Sequence, residues 1–181
     1  AAERSRLTRV LEPEAMESDE DARDYDAMDH LAVNRAFVEE LLAAAGSSGE
    51  ADRGVILDLG TGTAQIPIEL CRANSRVRVQ AVDVSQSMLD WAQRNVASAR
   101  LVERITLARV DAKRLPYADG SFAAVMSNSI VHHIPEPRDV LAEAVRVTMP
   151  GGLLFVRDLA RPADDAQVNH LVATYAAQCN R

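Results

Sequence analysis

Apolar and polar positions change their rhythm twice along the chain. Residues 1–30 are polar and, from Glu12 to Asp29, strongly acidic; Leu7, Val10, Leu11, Met16, Tyr25 and Met28 are the few apolar positions. This stretch reads as an arm or lid, a solvated helix face folded over a site, and not as core. Over residues 31–45 the side chains of Leu31, Phe37, Val38, Leu41, Leu42 and Ala45 recur at helical spacing, which predicts an amphipathic helix. Gly46-Ser47-Ser48-Gly49 ends it. Beyond that linker short apolar runs alternate with helical patterns: strands over 55–59, 77–84, 105–110, 122–127 and 153–159, helices over 64–72, 87–99 and 139–147, with Ser85 as an N-cap and a turn at 150–152.

Five strands alternating with helices imply an α/β fold, a Rossmann-like doubly wound and mostly parallel sheet with helices on both faces. Pro162, Asp164 and Asp165 suit the first turn of a final helix running to about residue 178. An apolar fifth strand left at a sheet edge invites association, so further C-terminal strands are expected to be missing. The organisation read from this is a lid and helical segment over 1–48, a ligand-binding core over 49–160 and a truncated C-terminal helix over 161–181.

The densest chemical signal is Asp58-Leu59-Gly60-Thr61-Gly62-Thr63-Ala64, after an apolar strand and before a helix. Glycines there bring backbone close to a ligand at the point where doubly wound sheets bind nucleotides. Without a Gly-Lys-Ser/Thr sequence it is no P-loop. A dinucleotide fingerprint wants Gly or Ala at position 65, where Gln65 stands. Asp83 ends the second strand, where a carboxylate accepts hydrogen bonds from ribose hydroxyls; that position alone fits NAD and S-adenosylmethionine equally. Asp111, followed by Ala112, ends the third strand, where it can meet an adenine amino group. Acids at successive strand ends, with no base for a pyrophosphate, suit an adenosine ligand that carries a cation.

Composition narrows the partners. The formal net charge is −7, and of 20 basic residues only Lys113 is a lysine. No basic cluster exists to hold nucleic acid or an anionic membrane. Cys71 and Cys179 lack the spacing of a zinc site or a disulfide framework, so a reducing, cytoplasmic setting is expected and no metal. No stretch approaches the roughly 20 apolar residues that span a bilayer. The expected partner is a small molecule, and oligomeric state is not readable.

Over residues 25–160 the chain resembles the class I S-adenosylmethionine-dependent methyltransferases, in particular the small-molecule group that includes the ubiquinone and menaquinone methyltransferases. The likeness rests on VILDLGTGTAQIPIEL, VQAVDVSQSML, VDAKRLPYADGSFAAVMSNSIVHHI and LAEAVRVTMPGGLLFVRD. It implies a cofactor, S-adenosylmethionine, and a small-molecule methyl acceptor. Gly60, Thr61 and Gly62 would face its methionine part with Asp58 orienting the loop; Asp83 would hold the ribose, Val84 and Met88 pack on the adenine, and Asp111 with Ala112 read its amino group. Asn128 matches a position whose backbone lies near the methionine ammonium, and Tyr25 matches a lid tyrosine. Ala64 stands where the family often has a third glycine.

Plainer readings accompany several of these residues. Asp111 and Asn128 also suit turn positions, and Gly60 and Gly62 suit a tight strand-to-helix turn. His132 and His133, past the fourth strand, are candidates for a general base at the pocket mouth and equally for packing residues of a loop. Rival functions are a non-enzymatic S-adenosylmethionine-binding module and an NAD-dependent oxidoreductase.

Overall fold

The computed structural model describes residues 10–11, 17–46, 54–159, 162–171 and 173. The linker at 47–49, the acidic residues 12–16 and the end of the final helix near 178 lie outside the described residues.

Helix α1 (Asp19–Ala27) forms from the acidic arm. Ser18 caps it by accepting from the Asp21 amide, and Asp19, Glu20 and Asp21 fill the first turn, where the helix dipole favours negative charge. Such a cap is worth about 1 kcal/mol. Helix α2 (Leu31–Gly46) starts where Asp29 Oδ1 accepts from the Leu31 amide at 3.1 Å, and it buries Phe37, Val38 and Leu41 as the helical spacing predicts.

The core follows as β1 (Val55–Leu59), α3 (Gln65–Ala73), β2 (Arg78–Asp83), α4 (Gln86–Ser98), β3 (Ile105–Arg109), β4 (Phe122–Asn128), a 3-10 turn (Val131–His133), α5 (Pro137–Val147) and β5 (Thr148–Arg157), then α6 (Asp165–Leu171). The five strands form one sheet in the order β3-β2-β1-β4-β5, every pairing parallel. Alternation sorts the side chains. Ile56, Val79, Ala81, Ala124 and Met126 pack under α2, α3 and α4, whereas Leu57, Leu59, Val82 and Val125 pack under α5. The expected α/β class, with helices on both faces, is the observed one.

Chain order reverses between β1 and β4, so the crevice at the carboxyl ends of those strands is the switch point where such sheets take ligands. The residues that end the strands there are Leu59, Asp83, Arg109, Asn128 and Arg157.

One expectation is corrected. The turn at 150–152 lies inside β5, because Thr148 pairs with Phe122 and Leu153 with Ala124, leaving Met149, Pro150, Gly151 and Gly152 as a bulge opposite Ala123. Gly151 has φ +80°, and a Cβ on Gly152 would stand 2.7 Å from the Ala123 carbonyl oxygen, so the two glycines let the bulge lie flat on β4.

Candidate functional site

The loop after β1 folds back on the end of β2. The Gly60 and Thr61 amides both donate to the Val82 carbonyl at 2.9 Å, and the Gly62 amide donates to Asp83 Oδ2 at 2.8 Å. Asp83 Oδ1 accepts from the Ser85 amide at 2.9 Å, which ties the same carboxylate to the start of α4. Gly60 has φ +70° and its missing Cβ would collide with Ile130, so only glycine fits. Ala64 takes φ +63° at the head of α3, a left-handed conformation that costs an alanine about 1–2 kcal/mol.

Above this loop sits Tyr25 of α1. A Cβ on Gly62 would lie 3.6 Å from Tyr25 Cε1, so the ring covers the glycine turn. Burial raises the Tyr25 hydroxyl above its ordinary pKa, and the charges of Asp58 and Asp83 raise it further. The arm predicted as a lid therefore lies over the loop, with its tyrosine within electrostatic reach of both acids.

Asp58 is 3 % exposed. Burial pushes its carboxyl up to about 7; the Thr61 hydroxyl pulls the other way and Asp83 adds to the rise. Asp83 is also raised, by burial against the pull of the Ser85, Gly62 and Val84 amides. None of the described groups acting on either acid is a cation. The pair forms a desolvated acidic centre that a cationic ligand would relieve.

Beside it opens a small cleft of about 50 Å³ walled by Val84, Val110, Ile130 and Ile134, with Gly60, Asp83, Asp111 and Ala112 on its rim. Val84 is 37 % exposed, an apolar side chain left uncovered where a flat heterocycle would lie. The structure thus brings together Gly60, Asp83, Val84, Asp111 and Ala112. Asp111 meanwhile accepts from the Lys113 amide at 2.9 Å and pairs with its ammonium at 3.1 Å, the turn role weighed for it above. Met88 is 6 % exposed on the first turn of α4, outside the residues that line this cleft.

A second cleft, open to solvent and of about 510 Å³, lies at the ends of β4 and β5 against Ala32, Val33 and Ala36 of α2. Asn128 and Asp158 line it. The Asn128 side chain accepts from Arg157 Nε at 3.3 Å. Asp158 is the functional candidate that sequence reasoning missed. Its Oδ1 lies 2.6 Å from His132 Nδ1 and its Oδ2 accepts from the Val131 amide at 2.7 Å, fixing the 3-10 turn. The His133 ring lies on the His132 ring, centroids 4.0 Å apart. The available signal was an acid just beyond an apolar strand in a sheet whose other strand ends are already chemical.

The fold and site define a doubly wound α/β domain, with backbone and buried acids at the switch point and no P-loop. A family described as a methyltransferase domain matches residues 57–156, and the chain belongs to it, a class I S-adenosylmethionine-dependent methyltransferase domain. The ubiquinone/menaquinone biosynthesis C-methyltransferase UbiE of Desulfotalea psychrophila is 34% identical over 116 residues, 64% of this chain and 46% of that protein. The chain spans less than half the length of the curated relatives it matches first. Among solved structures, the [4+2]-cyclase SpnF is 31% identical with a TM-score of 0.56, over 64% of this chain and 44% of that one. A Methanococcus maripaludis putative S-adenosylmethionine-dependent methyltransferase matches 94% of this chain and 76% of its own with a TM-score of 0.70 at 18% identity, which speaks for the fold alone. No described helix is long and apolar enough to cross a membrane.

Proposed function

We propose that the protein binds S-adenosylmethionine at the β1–β2 loop and catalyses transfer of its methyl group to a small molecule held at the β4–β5 cleft. The observation that carries this is the buried acidic pair Asp58 and Asp83 beside a small apolar cleft at the switch point, with no described cation to compensate it. Asp83 would accept from the ribose hydroxyls, Val84 would lie against the adenine, Asp111 and Ala112 would read its edge, and Tyr25 would cover the glycine loop. The methionine ammonium would meet the loop of Gly60, Thr61 and Gly62 and the end of β4 at Asn128. When bound, this cofactor supplies a methyl carbon already activated by a sulfonium, so the chain's own task is alignment and exclusion of water.

His132 is the general base for an acceptor hydroxyl or amine. With its Nδ1 proton given to Asp158 at 2.6 Å, the imidazole is held in the tautomer whose Nε2 accepts a proton, and the aspartate steadies the imidazolium that results. His133 packs against that ring and supports its orientation. A phenolic acceptor fits this chemistry, because loss of its proton makes both its oxygen and the neighbouring ring carbon nucleophilic; the UbiE relative is named as a C-methyltransferase of ubiquinone and menaquinone biosynthesis. The SpnF relative, a cyclase, favours a second reading in which the same cofactor-binding scaffold shapes a substrate without methyl transfer.

Calorimetric titration of S-adenosylmethionine and of NAD into the purified chain tests the cofactor. Binding of the first alone is expected, weakened ~10–100-fold by Asp83→Ala, the usual loss for a charged hydrogen-bonding group. NAD binding instead would overturn the reading. Release of S-adenosylhomocysteine with a panel of phenolic acceptors separates transfer from the second reading.

A further inference from the structure

Gln65 was singled out in the sequence as the residue that spoils a dinucleotide fingerprint, and the function proposed above gives it no role. In the structure it sits at the first turn of α3 in a polar junction. Its Nε2 donates to the Asp26 carbonyl at 3.3 Å and to Asp26 Oδ1 at 3.2 Å. Asn95 of α4 donates to the same Oδ1 at 2.7 Å and to the Thr63 carbonyl of the glycine loop at 3.0 Å. Asn34 of α2 donates to Gln65 Oε1 at 3.3 Å. Helices α3 and α4 thus meet α1 at one acid, while α2 and the glycine loop are bonded to the two amides that hold it, and the residue before that acid is Tyr25.

Besides these bonds, the end of helix α1 has the Tyr25 ring lying against the His30 ring, centroids 4.8 Å apart. The helix is nine residues long, too short to be stable alone, and Ala22 is the one residue of it that is fully buried. Its other end is tied by polar bonds as well: Ser87 Oγ donates to the Glu17 carbonyl at 2.7 Å, and the Trp91 indole donates to Asp19 Oδ1 at 3.0 Å. The position of the Tyr25 ring over Gly62 therefore depends on specific hydrogen bonds and one ring contact with His30 more than on burial of apolar side chains.

We propose that Gln65 is a positioning residue of the cofactor site: together with Asn95 it fastens Asp26, and through it holds Tyr25 over the glycine loop, so that it sets how long bound cofactor stays. A glycine or alanine at this place, as a dinucleotide motif has, would leave the lid unfastened on the α3 side. The proposal rests on the S-adenosylmethionine reading of the site.

The test compares the full chain with Gln65→Ala and Asn95→Ala, using S-adenosylmethionine as the probe. Stopped-flow displacement should show it leaving about tenfold faster from either variant, as expected for losing hydrogen bonds to a charged group. Association should change little. Trp91, the only tryptophan, gives an independent signal: in the free chain its emission should shift to the red as the indole loses Asp19, and amides of residues 19–27 should exchange faster while those of β1 keep their protection. Wild-type dissociation in both variants would overturn the proposal. So would faster dissociation with undiminished protection of α1, because Gln65 would then act without the lid. If Gln65→Ala fails to fold, Asp26→Ala, which leaves α3 untouched, carries the same expectation. Should the wild type take up no S-adenosylmethionine, the cofactor reading fails, and amide exchange alone still decides whether Gln65 fastens α1.

Discussion

The two halves of the sheet's carboxyl edge are built from different materials. On the β1–β2 side the ligand surface is backbone and buried acid: the glycine loop is bonded to Val82 and Asp83, Gly60 has no room for a side chain, and Asp58 is almost wholly enclosed. On the β4–β5 side it is side chains on a 3-10 turn and strand ends, with His132 and Asp158 both partly exposed beside an open cleft. A site whose ligand never changes can be made of main chain, which carries no choice of residue. A site whose substrate differs between relatives is better placed on side chains that can be exchanged without disturbing the sheet.

Substitutions on either side test that division. The largest expected effect is on the β4–β5 side: His132→Ala should lower kcat ~10²–10⁴-fold, the usual range for a general base, with S-adenosylmethionine affinity unchanged. Asp158→Asn should follow it in part, since the aspartate acts through the imidazole, again with S-adenosylmethionine affinity unchanged. If cofactor affinity collapses along with turnover, the two halves are one site and the comparison fails. Next comes Gly60→Ala, which adds about 1–3 kcal/mol of backbone strain before its overlap with Ile130 is counted. Thermal unfolding should register the strain and titration a loss of cofactor binding, whereas retention of both would mean the loop is softer than its hydrogen bonds suggest.

The smallest effect is electrostatic. The Asp58 carboxyl has a folded pKa of about 7, above its ordinary 3.8, so between those values the folded protein holds a proton that the unfolded chain has released. Its contribution to stability is complete below about 4 and is lost as pH rises through 7. From pH 6 to pH 7 the free wild type should therefore lose about 1 kcal/mol relative to Asp58→Asn, read as a difference in Tm. A cationic ligand reverses the preference by favouring the ionised acid, so S-adenosylmethionine should bind the wild type more tightly at pH 8 than at pH 6. A flat affinity profile would remove Asp58 from the ligand's field.

How much of this was legible in the sequence depended on whether a residue's role is local. Strand and helix periods, the Ser85 cap, the glycine turn and the acid at the end of β2 are all set by residues within a few positions of one another, and each was read where it stands. The bulge at 149–152 was not, because a Pro-Gly-Gly sequence looks the same in a turn and in a strand lying against the Ala123 carbonyl.

The sequence by itself determined an α/β sheet with an adenosyl-type loop at its switch point, since hydrophobic period, glycine at positive φ and carboxylates at strand ends are local demands of the chain. Tertiary structure alone decided that Asp158 meets His132 across 26 positions, that Asp26 meets Gln65 and Asn95 across 39 and 69, and that Tyr25 lies over Gly62. Those pairings depend on how α1 and the strand ends are folded onto one another, and no spacing along the chain encodes which distant polar groups will share a hydrogen bond.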